Sequence, residues 1–180
     1  MKIVLGISGS SYAPTSGEVF NALQQEGHKL RVIVTDSARQ FLPRRLVKQA
    51  LTDRGWRTAS HIECASWGDA FLVAPATANS LSAAANGSAS NLLQATIVAW
   101  AGTVHFFPAM NRSMWTSEAT VDNVAALRGR GHEVFEPSVR WSSESGEVFE
   151  PIGYNPIAVI QKVEDLVAAI EGRGMDSVNG

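Results

Sequence analysis

Short, uniformly apolar runs alternate with helical stretches along nearly the whole chain. This alternation restricts the fold more than any other feature. The β-rich runs are Lys2–Ile7, Leu30–Val34, Ala70–Ala74, Thr103–Phe107 and Glu133–Phe135. Runs of this kind suit strands covered on both faces, as in a parallel sheet flanked by helices. Helices are predicted over residues 15–26, 78–85, 91–100, 118–130 and 156–171, with two shorter ones, 37–42 and 44–52, broken at Pro43. Pro14 suits a first helical position, and Gly27 and Gly131 suit the ends of helices. Strands alternating with helices imply βαβ units and a doubly wound, Rossmann-like parallel sheet in one α/β domain spanning residues 1–180. No repeat or internal boundary interrupts the pattern. The stretch 138–150 is predicted to be a long loop of the kind that serves as a lid or binding segment. The tail, 172–180, is predicted to fray.

The bulk numbers narrow the class. The chain has 180 residues, 45% hydrophobic and 18% charged, enough for one substantial core and a somewhat apolar surface. That surface suits burial between subunits. A net charge of −2 gives no reason to expect a nucleic-acid or membrane partner. The single cysteine, Cys64, excludes an internal disulfide and a four-cysteine metal site. No apolar run approaches the length of a membrane span. A soluble, cytoplasmic, metal-free α/β domain is the expectation.

In open α/β sheets, ligands bind at the carboxyl ends of the strands, and here those ends are polar. The first is Gly6-Ile7-Ser8-Gly9-Ser10-Ser11, whose glycines allow a sharp turn and whose hydroxyls suit a phosphate. It lacks the third glycine and the downstream acid of a dinucleotide fingerprint, so it fits a mononucleotide better. The second end is Thr35-Asp36-Ser37. The third runs from Ala74-Pro75-Ala76-Thr77 into Ala78-Asn79-Ser80, with Asn91 nearby. The fourth is Phe107-Pro108-Ala109-Met110-Asn111, followed by Met114-Trp115. Asn111 offers a donor and an acceptor, and methionine with tryptophan can wall a flat apolar ligand. Each end also has a plain structural reading, as a helix cap or as tight helix–sheet packing. Their convergence on one sheet edge favours a ligand. His28, His105 and His132 read as structural, Cys64 as a small buried hydrophobe, and Trp56, Trp67, Trp100 and Trp141 as packing or subunit contacts.

Three ordered blocks carry a resemblance: His61-Ile62-Glu63; Pro75-Ala76-Thr77-Ala78-Asn79 with Asn86-Gly87 and Asn91-Leu92-Leu93; and Pro108-Ala109-Met110-Asn111 with Met114-Trp115. Together they resemble the homo-oligomeric flavin-containing cysteine decarboxylases, over about residues 1–137. That family includes phosphopantothenoylcysteine decarboxylases and the peptidyl-cysteine decarboxylases of lantibiotic and related peptide pathways. The resemblance implies FMN contacts at Gly9, Ser10, Ser11, Thr35, Ser37, Phe41, Ala78, Asn79, Ser80, Leu81 and Met110. It implies His61 as the catalytic base, and Asn111 as both a catalytic residue and the holder of the substrate carboxylate. Met114, Ser145 and Gly146 are the further expected substrate contacts, the last two in a substrate clamp over 138–150. It also implies a homotrimer or homododecamer with flavin near subunit contacts. The family commonly has an apolar stretch where this chain has Ser11-Tyr12-Ala13-Pro14-Thr15, which leaves FAD open as an alternative to FMN.

The implied chemistry is coherent. A C-terminal cysteine cannot lose CO2 directly, because the resulting Cα carbanion has no electron sink. Oxidation at Cβ gives a thioaldehyde, and decarboxylation then leaves a stabilised enethiolate. Imidazole suits removal of the thiol proton near neutral pH. The coenzyme A branch next reduces its enethiol with the help of a cysteine in a flap after the fifth strand. Residues 137–147 here contain no cysteine. The expected activity is therefore oxidative decarboxylation of a precursor peptide's C-terminal cysteine to an aminoenethiol. The alternatives are phosphopantothenoylcysteine decarboxylase activity, a non-catalytic flavin-binding regulatory subunit, and, opposed by His61 and the Pro-Ala-Met-Asn block, a flavin prenyltransferase.

Overall fold

The computed structural model describes residues 1–56, 60–141 and 148–176. The chain begins with β1 (Lys2–Ile7), α1 (Thr15–Gln25) and β2 (Lys29–Val34). After a 3-10 turn at Arg39–Phe41 come α2 (Arg44–Gln49) and β3 (Leu51–Thr52). Next follow α3 (Ser60–Trp67), β4 (Ala70–Ala76), α4 (Ala78–Ala85), α5 (Leu92–Ala99) and β5 (Val104–Pro108). The remainder is α6 (Arg112–Trp115), α7 (Glu118–Gly129), β6 (Glu133–Val134), β7 (Ser138–Trp141), β8 (Val148–Gly153) and α8 (Pro156–Asp176).

Strands β1 to β6 form one sheet in the order β3-β2-β1-β4-β5-β6, every pairing parallel. Alternation along each strand divides the core between the two faces. Ile3, Leu5, Ile7, Leu72, Ala74 and Phe107 point to the side that also holds Val19 of α1 and Val159 of α8. Val4, Phe71, Val73, Val104 and Phe106 point to the other, with Leu81, Leu93 and Leu127 of α4, α5 and α7. With both faces covered, β4 and β5 are buried along their whole length, which is why those runs read as continuously apolar.

Several expectations change in detail. The helix expected over 37–42 shrinks to the 3-10 turn, and the one over 44–52 ends at Gln49. Leu51 and Thr52 instead pair with Ile33 and Val34 as an edge strand, because the sheet offers β2 an open side there. Strand β4 runs through Pro75 to Ala76, with an irregular register between Val73 and Ala76. The stretch after β6 is an antiparallel β7–β8 pair flanking residues 142–147. Its Ser, Glu and Gly content and shifted register leave little period-2 signal to read. Helix α8 continues through Asp176, into the tail expected to fray. Among the described residues, no helix is long and apolar enough to cross a membrane.

Candidate functional site

From β1 the chain winds one way to β2 and β3, and the other way to β4, β5 and β6. The carboxyl ends of β1 and β4 therefore diverge, and a crevice opens where the winding reverses. The cleft there measures about 440 Å³ and is lined by Gly9, Ser10, Ser37, Thr77, Ala78, Asn79, Ala109, Met110 and Met114. Four strand ends contribute to it, those of β1, β2, β4 and β5. None of these lining side chains is ionisable. Hydroxyls and an amide lie on one part of the wall, thioethers and alanines on another.

Local hydrogen bonds hold this wall in shape. The Ser8 hydroxyl, buried, donates to the Pro75 carbonyl at 2.8 Å and accepts from the Thr77 N–H at 3.0 Å. Ser8 thus pins the β1 turn to the end of β4 and is not available to a phosphate, contrary to expectation. Thr77 caps α4, accepting from the Ser80 N–H at 3.3 Å. The hydroxyls of Thr35 and Ser37 lie 3.1 Å apart. A Cβ on Gly9 would come within 2.5 Å of the Ser37 Oγ. A side chain at position 9 would fill the approach between the two turns, so glycine keeps that corner of the cleft open.

Asn111 caps α6. Its Oδ1 accepts from the Ser113 N–H at 2.8 Å and from the Ser113 hydroxyl at 2.7 Å. The cap occupies the acceptor end of the amide. Its Nδ2 donors have no partner among the described residues, which is the polarity a bound carboxylate requires.

Several expected residues lie elsewhere. Leu81 is fully buried in the core and Ser80 is buried against Thr77, so neither side chain lines the cleft. Ser11 and Phe41 are exposed outside it, and Thr35 sits behind Ser37. Asn91 caps α5 through a 2.9 Å bond from the Gln94 N–H. His61 opens α3 and accepts from the Trp56 indole N–H at 3.3 Å, with the two rings edge to face. Neither it nor Asn111 is among the residues lining the cleft, although Asn111 directly follows Met110 of the lining. Cys64 on the same helix is buried, and burial pushes its thiol pKa up against the pull of Arg31. Ser145 and Gly146 lie outside the described residues. The lining residues absent from the expected set are Thr77 and Ala109. Thr77 follows β4 and caps α4, and no local signal separates such a cap from a residue that lines the cleft.

An open parallel sheet with an uncharged, hydroxyl-lined cleft at its switch point defines a class, the doubly wound α/β proteins whose ligand site lies at the carboxyl ends of the strands. The chain belongs to the Flavoprotein family, whose model matches residues 1–174. It is 37% identical, over 76% of its length, to the coenzyme A biosynthesis bifunctional protein CoaBC of Mycolicibacterium smegmatis, covering 35% of that protein. It therefore spans about a third of the length of the curated relatives it matches. Among solved structures it resembles MrsD from a Bacillus species, with TM-score 0.72 and 30% identity over 92% of this chain and 95% of that one. It also resembles a PPC decarboxylase mutant complexed with pantothenoylaminoethenethiol, with TM-score 0.77 and 27% identity over 91% and 96%.

Proposed function

We propose that this protein is a flavin-dependent decarboxylase acting on the C-terminal cysteine of a ribosomally made precursor peptide, with an aminoenethiol as product. The reading rests on one observation above others. The chain has a single cysteine, and it is buried in α3. No thiol acid stands in the segment after β6 to support reduction of an enethiol, so the oxidised product is released.

The chemistry of the cleft wall fits a flavin. Backbone N–H groups of the turn after β1 with the Ser10, Ser37, Thr77 and Asn79 side chains would hold a phosphate and ribityl hydroxyls, while Ala78, Met110 and Met114 would flank a flat ring. FMN is the proposed cofactor, and FAD the alternative. A bound flavin would supply a two-electron acceptor for oxidation of the cysteine at Cβ, and the thioaldehyde so formed is the electron sink for loss of CO2. The protein's own residues do the rest. Asn111 holds the substrate carboxylate through its Nδ2 donors, adding no full positive charge that would retain CO2. His61 takes the proton from the substrate sulfur. Because His61 does not line the cleft of its own chain, we read the site as completed between copies, in a homotrimer or homododecamer.

A second reading, redox-neutral decarboxylation in coenzyme A synthesis, is favoured by the CoaBC relatives. Incubation with a peptide ending in cysteine is expected to give a mass loss of about 46 units, CO2 plus two hydrogens. Turnover of phosphopantothenoylcysteine with a loss of about 44 units, CO2 alone, would instead support the coenzyme A reading. Replacing His61→Asn should abolish turnover and leave the flavin bound. Bound flavin with no turnover of either substrate by the unaltered protein would indicate a binding module.

A further inference from the structure

We propose that Tyr12 couples the flavin-binding turn to the β7–β8 pair, so that cofactor binding after β1 sets the position of these strands beside the cleft. The proposal rests on the reading of the cleft as a flavin site.

Tyr12 belongs to the same turn as Gly9 and Ser10. Its backbone N–H donates to the Ser10 hydroxyl at 3.2 Å, and the Ala13 N–H donates to the Ser10 carbonyl at 2.9 Å. A ligand engaging Ser10 therefore acts directly on the peptide that orients the Tyr12 ring. That ring lies against the backbone of Gly153, so closely that a Cβ there would fall within it. Glycine inside a strand marks such a close approach. Gly153 is the last residue of β8. It pairs with Ser138 of β7, whose hydroxyl donates to the Gly153 carbonyl at 3.0 Å. One ring contact therefore reaches both strands.

The neighbouring contacts make this junction stiff. Tyr154 is buried, with its hydroxyl 3.0 Å from that of Ser16, which in turn donates to the Ala74 carbonyl of β4 at 2.7 Å. On the other side, β8 packs against α6, which carries Met114 of the cleft and is capped by Asn111. The β7–β8 pair thus stands between the turn after β1 and the helix expected to hold the substrate. Close-packed groups without slack transmit a shift rather than absorb it. The functional consequence is an order of events, in which flavin binding positions β8 and α6 before the peptide is engaged.

Hydrogen exchange of the Val148–Gly153 amides, measured with and without FMN, tests the coupling. In the unaltered chain, FMN should slow exchange there by about tenfold. Tyr12→Ala should abolish that slowing and weaken FMN binding by about tenfold, whereas Tyr12→Phe, which keeps the ring, should preserve both. Gly153→Ala should mimic Tyr12→Ala, and the double variant should be no worse than Tyr12→Ala alone, because the ring struck by the new methyl is gone. FMN that binds without changing exchange in β8, or additive effects of the two substitutions, would overturn the coupling. Failure of the unaltered chain to bind FMN, seen as an unchanged flavin spectrum on titration, would overturn the underlying flavin reading instead.

Discussion

Asn111 does two things with one amide. Its oxygen ends a loop by capping α6, and its Nδ2 donors, without a partner among the described residues, are the ones proposed to hold the substrate carboxylate. The two roles separate by substitution. Asn111→Asp keeps an acceptor for Ser113 but replaces the donors with a negative charge. Its melting temperature should match the parent's, while CO2 release should fall about 100-fold, since opposing carboxylates cost several kcal/mol. Asn111→Ala should lose the activity and also about 1 kcal/mol of stability in denaturant titrations. Thr77 and Asn91 are caps as well, and this shared duty shows why residue types alone could not sort cleft from scaffold. Serine, threonine and asparagine at a strand end serve a helix N-terminus and a ligand equally well. Ser8, Ser10 and Ser11 read alike in sequence, yet one is buried under Thr77, one lines the cleft and one is exposed outside it.

At the scale of elements, the main strands and helices were legible, β6 and α2 among them, while β3 and the β7–β8 pair were not. Strand β3 has two residues and exists because β2 has an unpaired side. Asp53, just beyond it, ties distant elements together. Its Oδ1 accepts from the Leu92 N–H at the start of α5 at 2.8 Å, and its Oδ2 from the Asp36 N–H at 3.4 Å. A carboxylate beside a helix N-terminus also meets the positive end of the helix dipole. Asp53→Ala should destabilise the protein by about 1 kcal/mol in chemical denaturation, and Asp53→Asn, which retains an acceptor without the charge, by about half as much. Nothing local in the sequence announces this bond, which spans 39 residues.

Across the whole molecule, β5, β6 and α8 meet at one polar cluster in which His105 is buried and Glu133 reaches the surface. The His105 Nδ1–H donates to Glu133 Oε2 at 2.8 Å, and Lys162 of α8 reaches the same oxygen at 2.8 Å. Burial lowers the His105 pKa despite the bond from its ring to Glu133, and burial followed by Arg130 lowers that of His132. Burial works to raise Glu133, but bonds from Lys162 and His105 outweigh it and hold the carboxyl below its usual range. All three shifts act in one direction. The unfolded chain binds protons more readily than the folded one, so stability is fully present above about pH 6.5 and declines as pH falls below it. Thermal melting followed from about pH 7.5 to about pH 5 should show a falling midpoint, and His105→Phe should flatten the upper part of that slope. A midpoint independent of pH across this range would refute the account.

The order and identity of the five main strands, the helices between them and the polar strand ends were determined by the chain itself. Hydrophobic periodicity and capping are local properties, written within a few residues of where they act. The sequence also determined that one cysteine is present, and that none follows β6. Only the tertiary structure decided which polar strand-end residues face a common cleft. That choice depends on the strand order and on the reversal of winding between β1 and β4, which bring together residues as distant as Gly9 and Met114. It likewise separated His61 from the cleft, held Asn111 by its oxygen, and laid Tyr12 on Gly153. Each of these outcomes is a matter of packing between distant segments, which no local pattern encodes.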